Sequence, residues 1–168
     1  VGIAIMRHRI CFMFLNEKFT LEEDWAIKEN LFDCIYRIGY LAADMNDEDS
    51  VSIILNEVAE MSSEAISIGL LETAKGSAWA IGDIGVYAAQ KGFRFISVTR
   101  RTLKHLRRLG IASAEKGIKE LALNAKRDLG RISQIASKEG GRWLEIEAGA
   151  EVVISQIDHI IQPETEEQ

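Results

Sequence analysis

The amino-acid sequence predicts an all-α fold, an antiparallel array of about six helices wound into an α-α superhelix or gathered into a compact helical bundle. Three observations predict it. The single proline, Pro163, stands five residues from the end of the 168-residue chain, so nothing of that kind interrupts a helix before it. Apolar residues recur at helical rather than alternating spacing. A motif of small residues also recurs along the chain.

The motif reads apolar–small–x–x–x–small–x–x–Gly or Asn. It occurs at Ile38-Gly39…Ala43…Asn46, Ile68-Gly69…Thr73…Gly76, Ile84-Gly85…Ala89…Gly92, Leu109-Gly110…Ala114…Gly117 and Ile132-Ser133…Ser137…Gly140. Each terminal Gly or Asn is expected to end a helix, because those residues tolerate the left-handed conformation found there. Lys75, Lys91 and Lys116 directly precede such a stop, and Lys138 lies two before one, where a cation favours the negative helix end. The first small residue lies two turns earlier, where a missing side chain admits a neighbouring helix. The copies are 30, 16, 25 and 23 residues apart, an underlying period near 23.

Residues 1–19 do not fit the repeat: Val1, Ile3 and Ile5 alternate, while Ile10–Leu15 is apolar throughout, which suits a strand, a short buried helix or an oligomer contact. Thr20-Leu-Glu-Glu23 is a capping box opening a helix over about 21–45. Further helices are expected at 48–75, with a kink or break at Met61-Ser62-Ser63, and at 77–91, 93–116, 118–139 and 142–161. Ile118, Leu121, Ala122, Ala125, Leu129, Ile132 and Ala136 form one apolar stripe. Trp143, Ile146, Ala150, Ile154, Ile157 and Ile161 form another. Residues 20–161 thus read as one helical domain, and 162–168 as a solvated acidic tail.

The Leu/Ile-Gly-x-x-Ala-x-x-Lys-Gly segments, clearest in Ile84–Gly92 and Leu109–Gly117, resemble helical repeat arrays of uncharacterised archaeal proteins and, more distantly, HEAT-type repeats. The likeness covers about residues 65–141. It implies a binding surface rather than a particular chemistry. The period departs from HEAT repeats, being too short for a two-helix unit of about 40 residues.

Composition is that of a globular protein, with 47% hydrophobic and 27% charged residues and a net charge of −6. Cys11 and Cys34 form no C-x-x-C pair and are expected to be small buried apolar groups in a reducing cytoplasm. No apolar stretch reaches the ~20 residues of a membrane span. The chain starts at Val1, and if it is a fragment, Val1–Met6 reads as the tail of a membrane segment that preceded it.

Charge is laid out in blocks. Between Ile38 and Ala74 there are eight acids and no base: Asp44, Asp47, Glu48, Asp49, Glu57, Glu60, Glu64 and Glu72. Between Gly85 and Ala114 there are seven bases and no acid: Lys91, Arg94, Arg100, Arg101, Lys104, Arg107 and Arg108. Such blocks suit complementary neighbouring faces or head-to-tail self-association. The sharper reading gives Arg94, Arg100, Arg101, Lys104, Arg107 and Arg108 a nucleic acid or anionic surface, with Arg101, Lys104 and Arg108 on one face. Net acidity and the lack of interleaved aromatics argue against it.

Glu57, Glu60 and Glu64 have the spacing to offer carboxylates to a hard cation, but a solvated stripe explains them as well. None of His8, His105 and His159 has a carboxylate three residues away, as a di-metal bundle site wants. Trp25, Trp79 and Trp143 are expected to anchor the core, an exposed one being a partner hot spot instead. Nucleophile-elbow, dinucleotide and P-loop motifs do not occur. The expectation is a non-enzymatic scaffold without cofactor, binding another protein or a second copy of itself. Nucleic-acid binding through 93–116 is the alternative, and a carboxylate metal enzyme a distant third.

Overall fold

In the computed structural model, residues 25–161 are described, with side chains from Phe32 onward. They form helices α1 (Trp25–Asp44), α2 (Glu48–Ile68), α3 (Leu71–Gln90), α4 (Ile96–Glu115), α5 (Lys119–Glu139) and α6 (Leu144–Ile161). Single 3₁₀ turns, Phe93–Phe95 and Gly141–Trp143, lead into α4 and α6. There is no strand among the described residues, and the helices pack as a compact bundle. The readings for residues 1–19, for the capping box and for the acidic tail lie outside the described residues.

Four of the five expected stops end a helix at positive φ: Asn46 at 55°, Gly92 at 80°, Gly117 at 73° and Gly140 at 65°, with Gly92 and Gly140 at an extended ψ of −155° and −165°. The remaining stop corrects the expectation. Gly69, not Gly76, ends α2, with φ 81°, and the Leu70 N–H closes the turn on the Ala65 carbonyl at 2.9 Å. Gly76 lies inside α3, where any side chain would run into the Phe32 ring. The stops are therefore Asn46, Gly69, Gly92, Gly117 and Gly140, separated by 23, 23, 25 and 23 residues. The small residue seven before each is Gly39, Ser62, Gly85, Gly110 or Ser133, and all five are buried.

The expected break at Met61-Ser62-Ser63 is absent too. Helix α2 runs through it, with the Ser63 hydroxyl donating back to the Ala59 carbonyl. The dense acids Asp47, Glu48 and Asp49 have a local role. Asp47 caps α2 by accepting from the Ser50 N–H at 3.0 Å, and Glu48 and Asp49 occupy its first turn, at the positive helix end. Lys75 is not at a helix end but inside α3, paired with Glu72 and Glu120. Lys116 donates to the Ile66 carbonyl in the last turn of α2.

Each helix packs on the next one and on the next but one. The polar pairs Asp44–Lys91, Asn56–His105, Lys75–Glu120, Asp83–Arg131 and Arg100–Glu145 all join helices two apart at matching heights. Those helices therefore run parallel, and chain neighbours run antiparallel. The result is two layers, α1–α3–α5 and α2–α4–α6. Helix α3 touches α1, α2, α4 and α5, which explains its run of buried small residues: Ala74, Ser77, Ala78, Ala80, Gly82, Gly85, Ala88 and Ala89. Where helices surround a helix, small side chains set how closely they approach. The stripe predicted on α5 is buried from Leu121 to Ala136, and Trp143 is buried as expected.

Candidate interaction surface

The basic residues singled out by sequence all lie on the outside. Arg94 is in the turn before α4, while Arg100, Arg101, Lys104, Arg107 and Arg108 stand on the face of α4 opposite Val98, Thr102, Leu106 and Leu109, and all six are exposed. The stripe is flanked by acids, however. Helix α2 packs on one side and brings Glu48 to Ser97 and Asn56 to His105, with Glu60 one turn on from Asn56, and α6 packs on the other side and carries Glu145. Arg100 is already paired with Glu145 at 2.8 Å. Glu57 and Glu64 are likewise engaged. Asp44–Lys91 joins the acidic and basic blocks within one chain.

His105 lies on the α2 side of this stripe, its Nε2 3.0 Å from Asn56 Oδ1. Burial, then the charges of Arg108, Arg101 and Lys104, push its imidazole down to about 4. The ring is thus neutral near pH 7, and as the Nε2–H tautomer it donates to Asn56. The unfolded imidazole takes its proton near 6.5. Between about 4 and 6.5 the unfolded chain therefore binds more protons, and stability falls as pH drops through that window. Since the ring is partly exposed, screening reduces the loss to about 1–2 kcal/mol. An NMR titration should find His105 still neutral at pH 5; a midpoint of 6 or above would contradict this environment.

A second surface, not anticipated from sequence, runs along α1 and α3. Tyr36 and Tyr40 on α1 face Trp79 and Tyr87 on α3. Tyr36 meets Trp79 edge-on, with centroids 4.8 Å apart, and Tyr40 stacks on Tyr87 at 4.1 Å. Tyr87 donates to Asp44 Oδ1 at 2.7 Å, and Lys91 pairs with Asp44 while sitting 4.7 Å from the Tyr87 ring centre. These bonds from Lys91 and Tyr87 hold the Asp44 carboxyl below its ordinary range. Trp79 is 38% exposed, which corrects the expected core role, and Cys34 is exposed rather than buried. The i, i+4 runs Tyr36-Tyr40-Asp44 and Trp79-Asp83-Tyr87-Lys91 carried the signal.

The row continues onto α5. Arg131 Nη1 donates to Asp83 Oδ1 at 3.1 Å and to Asp128 Oδ1 at 3.3 Å, and Arg127 Nε donates to Asp128 at 3.2 Å. Burial and the neighbouring Asp83 charge raise the Tyr40 phenol, which therefore stays protonated. The polar groups here engage one another rather than converge on a common point.

The chain matches no family model, no curated protein and no solved structure. Among the described residues no three His, Cys, Asp or Glu side chains are grouped to hold a metal ion, and no helix is long and apolar enough to cross a membrane.

Proposed function

We propose that this chain is a non-enzymatic helical scaffold that binds another protein through the face where Trp79, Tyr36, Tyr40 and Tyr87 line up. The observation that carries the reading is the half-exposed aromatic row ending in charged groups on both sides. Trp, Tyr and Arg dominate the binding energy of protein interfaces, because each buries a large rigid or planar surface and keeps a polar handle. We read the architecture as a helical repeat array, HEAT-like in its layering. Stops 23–25 residues apart support this, since two such helices span 46–48 residues, the length of a HEAT pair. We place the scaffold in a reducing cytoplasm, which the exposed free thiol of Cys34 favours.

Affinity capture with the full chain, compared with Trp79→Ala, tests the proposal. Trp79→Ala is expected to weaken partner binding roughly 30-fold, the loss of a ~2 kcal/mol hot spot, without lowering helix content. Binding that ignores Trp79→Ala would overturn this reading. If the same chain instead binds DNA, RNA or anionic vesicles in a salt-dependent way, lost on Arg101→Ala, Lys104→Ala and Arg108→Ala together, the function moves to α4.

A further inference from the structure

Within the layer α1–α3–α5, each helix turns the same edge toward the one before it. On α3 that edge holds Ala80, Ile84, Tyr87 and Lys91: Ile84 fills the space over Gly39, Tyr87 stacks on Tyr40 and Lys91 reaches Asp44. Counted back from Gly140 as those are from Gly92, the edge of α5 begins with Asp128 and Ile132. Asp128 lies directly against Gly82 of α3. Counted back from Asn46, the edge of α1 holds Cys34, Ile38, Leu41 and Met45. It is an apolar stripe with no helix before it among the described residues, and Leu41 is 59% and Met45 64% exposed.

The opposite end of the layer shows the complementary surface. Gly82 is the notch on α3 that receives Asp128. Gly130 occupies the same position on α5, yet no atom lies within 4 Å of where its Cβ would be. Gly130 sits in an open hollow with Leu123, Gln134 and Ile154, rimmed by Lys126, Arg127 and Arg131, which are paired with Asp158, Asp128 and Asp83. A mid-helix glycine costs about 1 kcal/mol relative to alanine, and nothing within the described residues approaches closely enough to offset it.

We propose that α1 of a second copy of this chain docks in that hollow, with its Cys34 over Gly130, continuing the stack head-to-tail. The contact repeats the way α3 packs on α1 and α5 on α3. In this register Arg37 comes near Arg131, and each keeps its own acid, Asp33 and Asp83. A heterologous contact of this kind does not close on itself at two copies, so mass grows with concentration. Its centre is apolar and the cations at its rim keep acids of their own chain, so it persists at high salt, unlike a contact between the charge blocks. The inference deepens the scaffold reading by naming one partner, and apart from Arg127 and Arg131, where the row reaches α5, it uses a different surface from the Trp79 row.

Sedimentation velocity over a wide concentration range tests it. The wild type should grow in mass with concentration, at low and at high salt. Gly130→Trp, which fills the hollow where the chain itself leaves space, should stay monomeric with unchanged helix content. A covalent trap supplies the geometry: Gly130→Cys with Cys11→Ser should give a disulfide-linked ladder on oxidation, lost on adding Cys34→Ser. A wild type monomeric at every concentration would overturn the proposal. So would association that Gly130→Trp leaves intact and the trap does not link. Trp79-dependent partner binding by a monomer would sink the head-to-tail contact alone and leave the scaffold standing.

Discussion

Replacing Gly85 with leucine is expected to lower stability by about 4 kcal/mol or more, and with alanine by about 1–3 kcal/mol. A Cβ at Gly85 would lie 2.6 Å from Thr102 Oγ1 and 2.8 Å from Thr102 Cβ. Rotating Thr102 relieves the first clash but not the second, because Cβ is fixed to the α4 backbone. Thr102 is fully buried, and its hydroxyl donates to the Val98 carbonyl, so the side chain has nowhere to go. Helices α3 and α4 must separate instead, opening the centre of the bundle where α3 meets four neighbours. For a domain near this size, each kcal/mol lowers Tm by roughly 2–4 °C, so Gly85→Ala should melt several degrees lower and Gly85→Leu 10 °C lower or more. Gly130→Ala is the control. It meets no neighbour and trades a glycine for a better helix former, so thermal unfolding should show Tm unchanged or slightly raised. Equal losses at both positions would refute the close-approach role given to Gly85.

The helical class and most helix ends were legible in the sequence, because both rest on local chemistry. Apolar spacing marks the buried face of α5, and a residue that tolerates positive φ marks the stops at 46, 92, 117 and 140. The error at 69 and 76 was also chemical in origin. Ile68-Gly69…Thr73…Gly76 satisfies the motif, whereas Met61-Ser62…Ile66…Gly69 puts an isoleucine at its second small position, and a glycine that admits a neighbour cannot be told by type from one that ends a helix. Regularity would have decided between them, since only Gly69 lies 23 residues from both Asn46 and Gly92. Helix α3 compounded the ambiguity. Buried on several sides, it carries small residues all round and shows no single apolar face from which a boundary can be read.

The candidate surface was half legible for a related reason. Helical spacing alone puts Arg101, Lys104 and Arg108 outside. Which acids flank them depends on helices two apart, and a pairing such as Arg100–Glu145 spans 45 residues. The aromatic row was missed because Tyr36 and Tyr40 become neighbours of Trp79 and Tyr87 only when α1 and α3 run parallel.

A comparable loss should follow from stripping Asp128 of its cations, and it carries its own rescue. Asp128 is 1% exposed, with Arg127 and Arg131 as its charged partners and Gly82 against its side chain. Arg127→Ala with Arg131→Ala would leave that carboxylate buried and unpaired, a change expected to cost about 3–5 kcal/mol. Either substitution alone leaves one cation in place and should cost less than half of that. The position two turns into α3 that corresponds to Asp128 is Ala80, also fully buried, so the layer packs well with a small apolar residue there. Asp128→Ala should therefore be nearly neutral by itself and restore most of the stability lost in the double-arginine variant. Denaturant unfolding of the four proteins closes the cycle. If the triple variant is no more stable than the double-arginine one, the loss comes from the arginine stems packed across α3 and α5, and not from the buried charge.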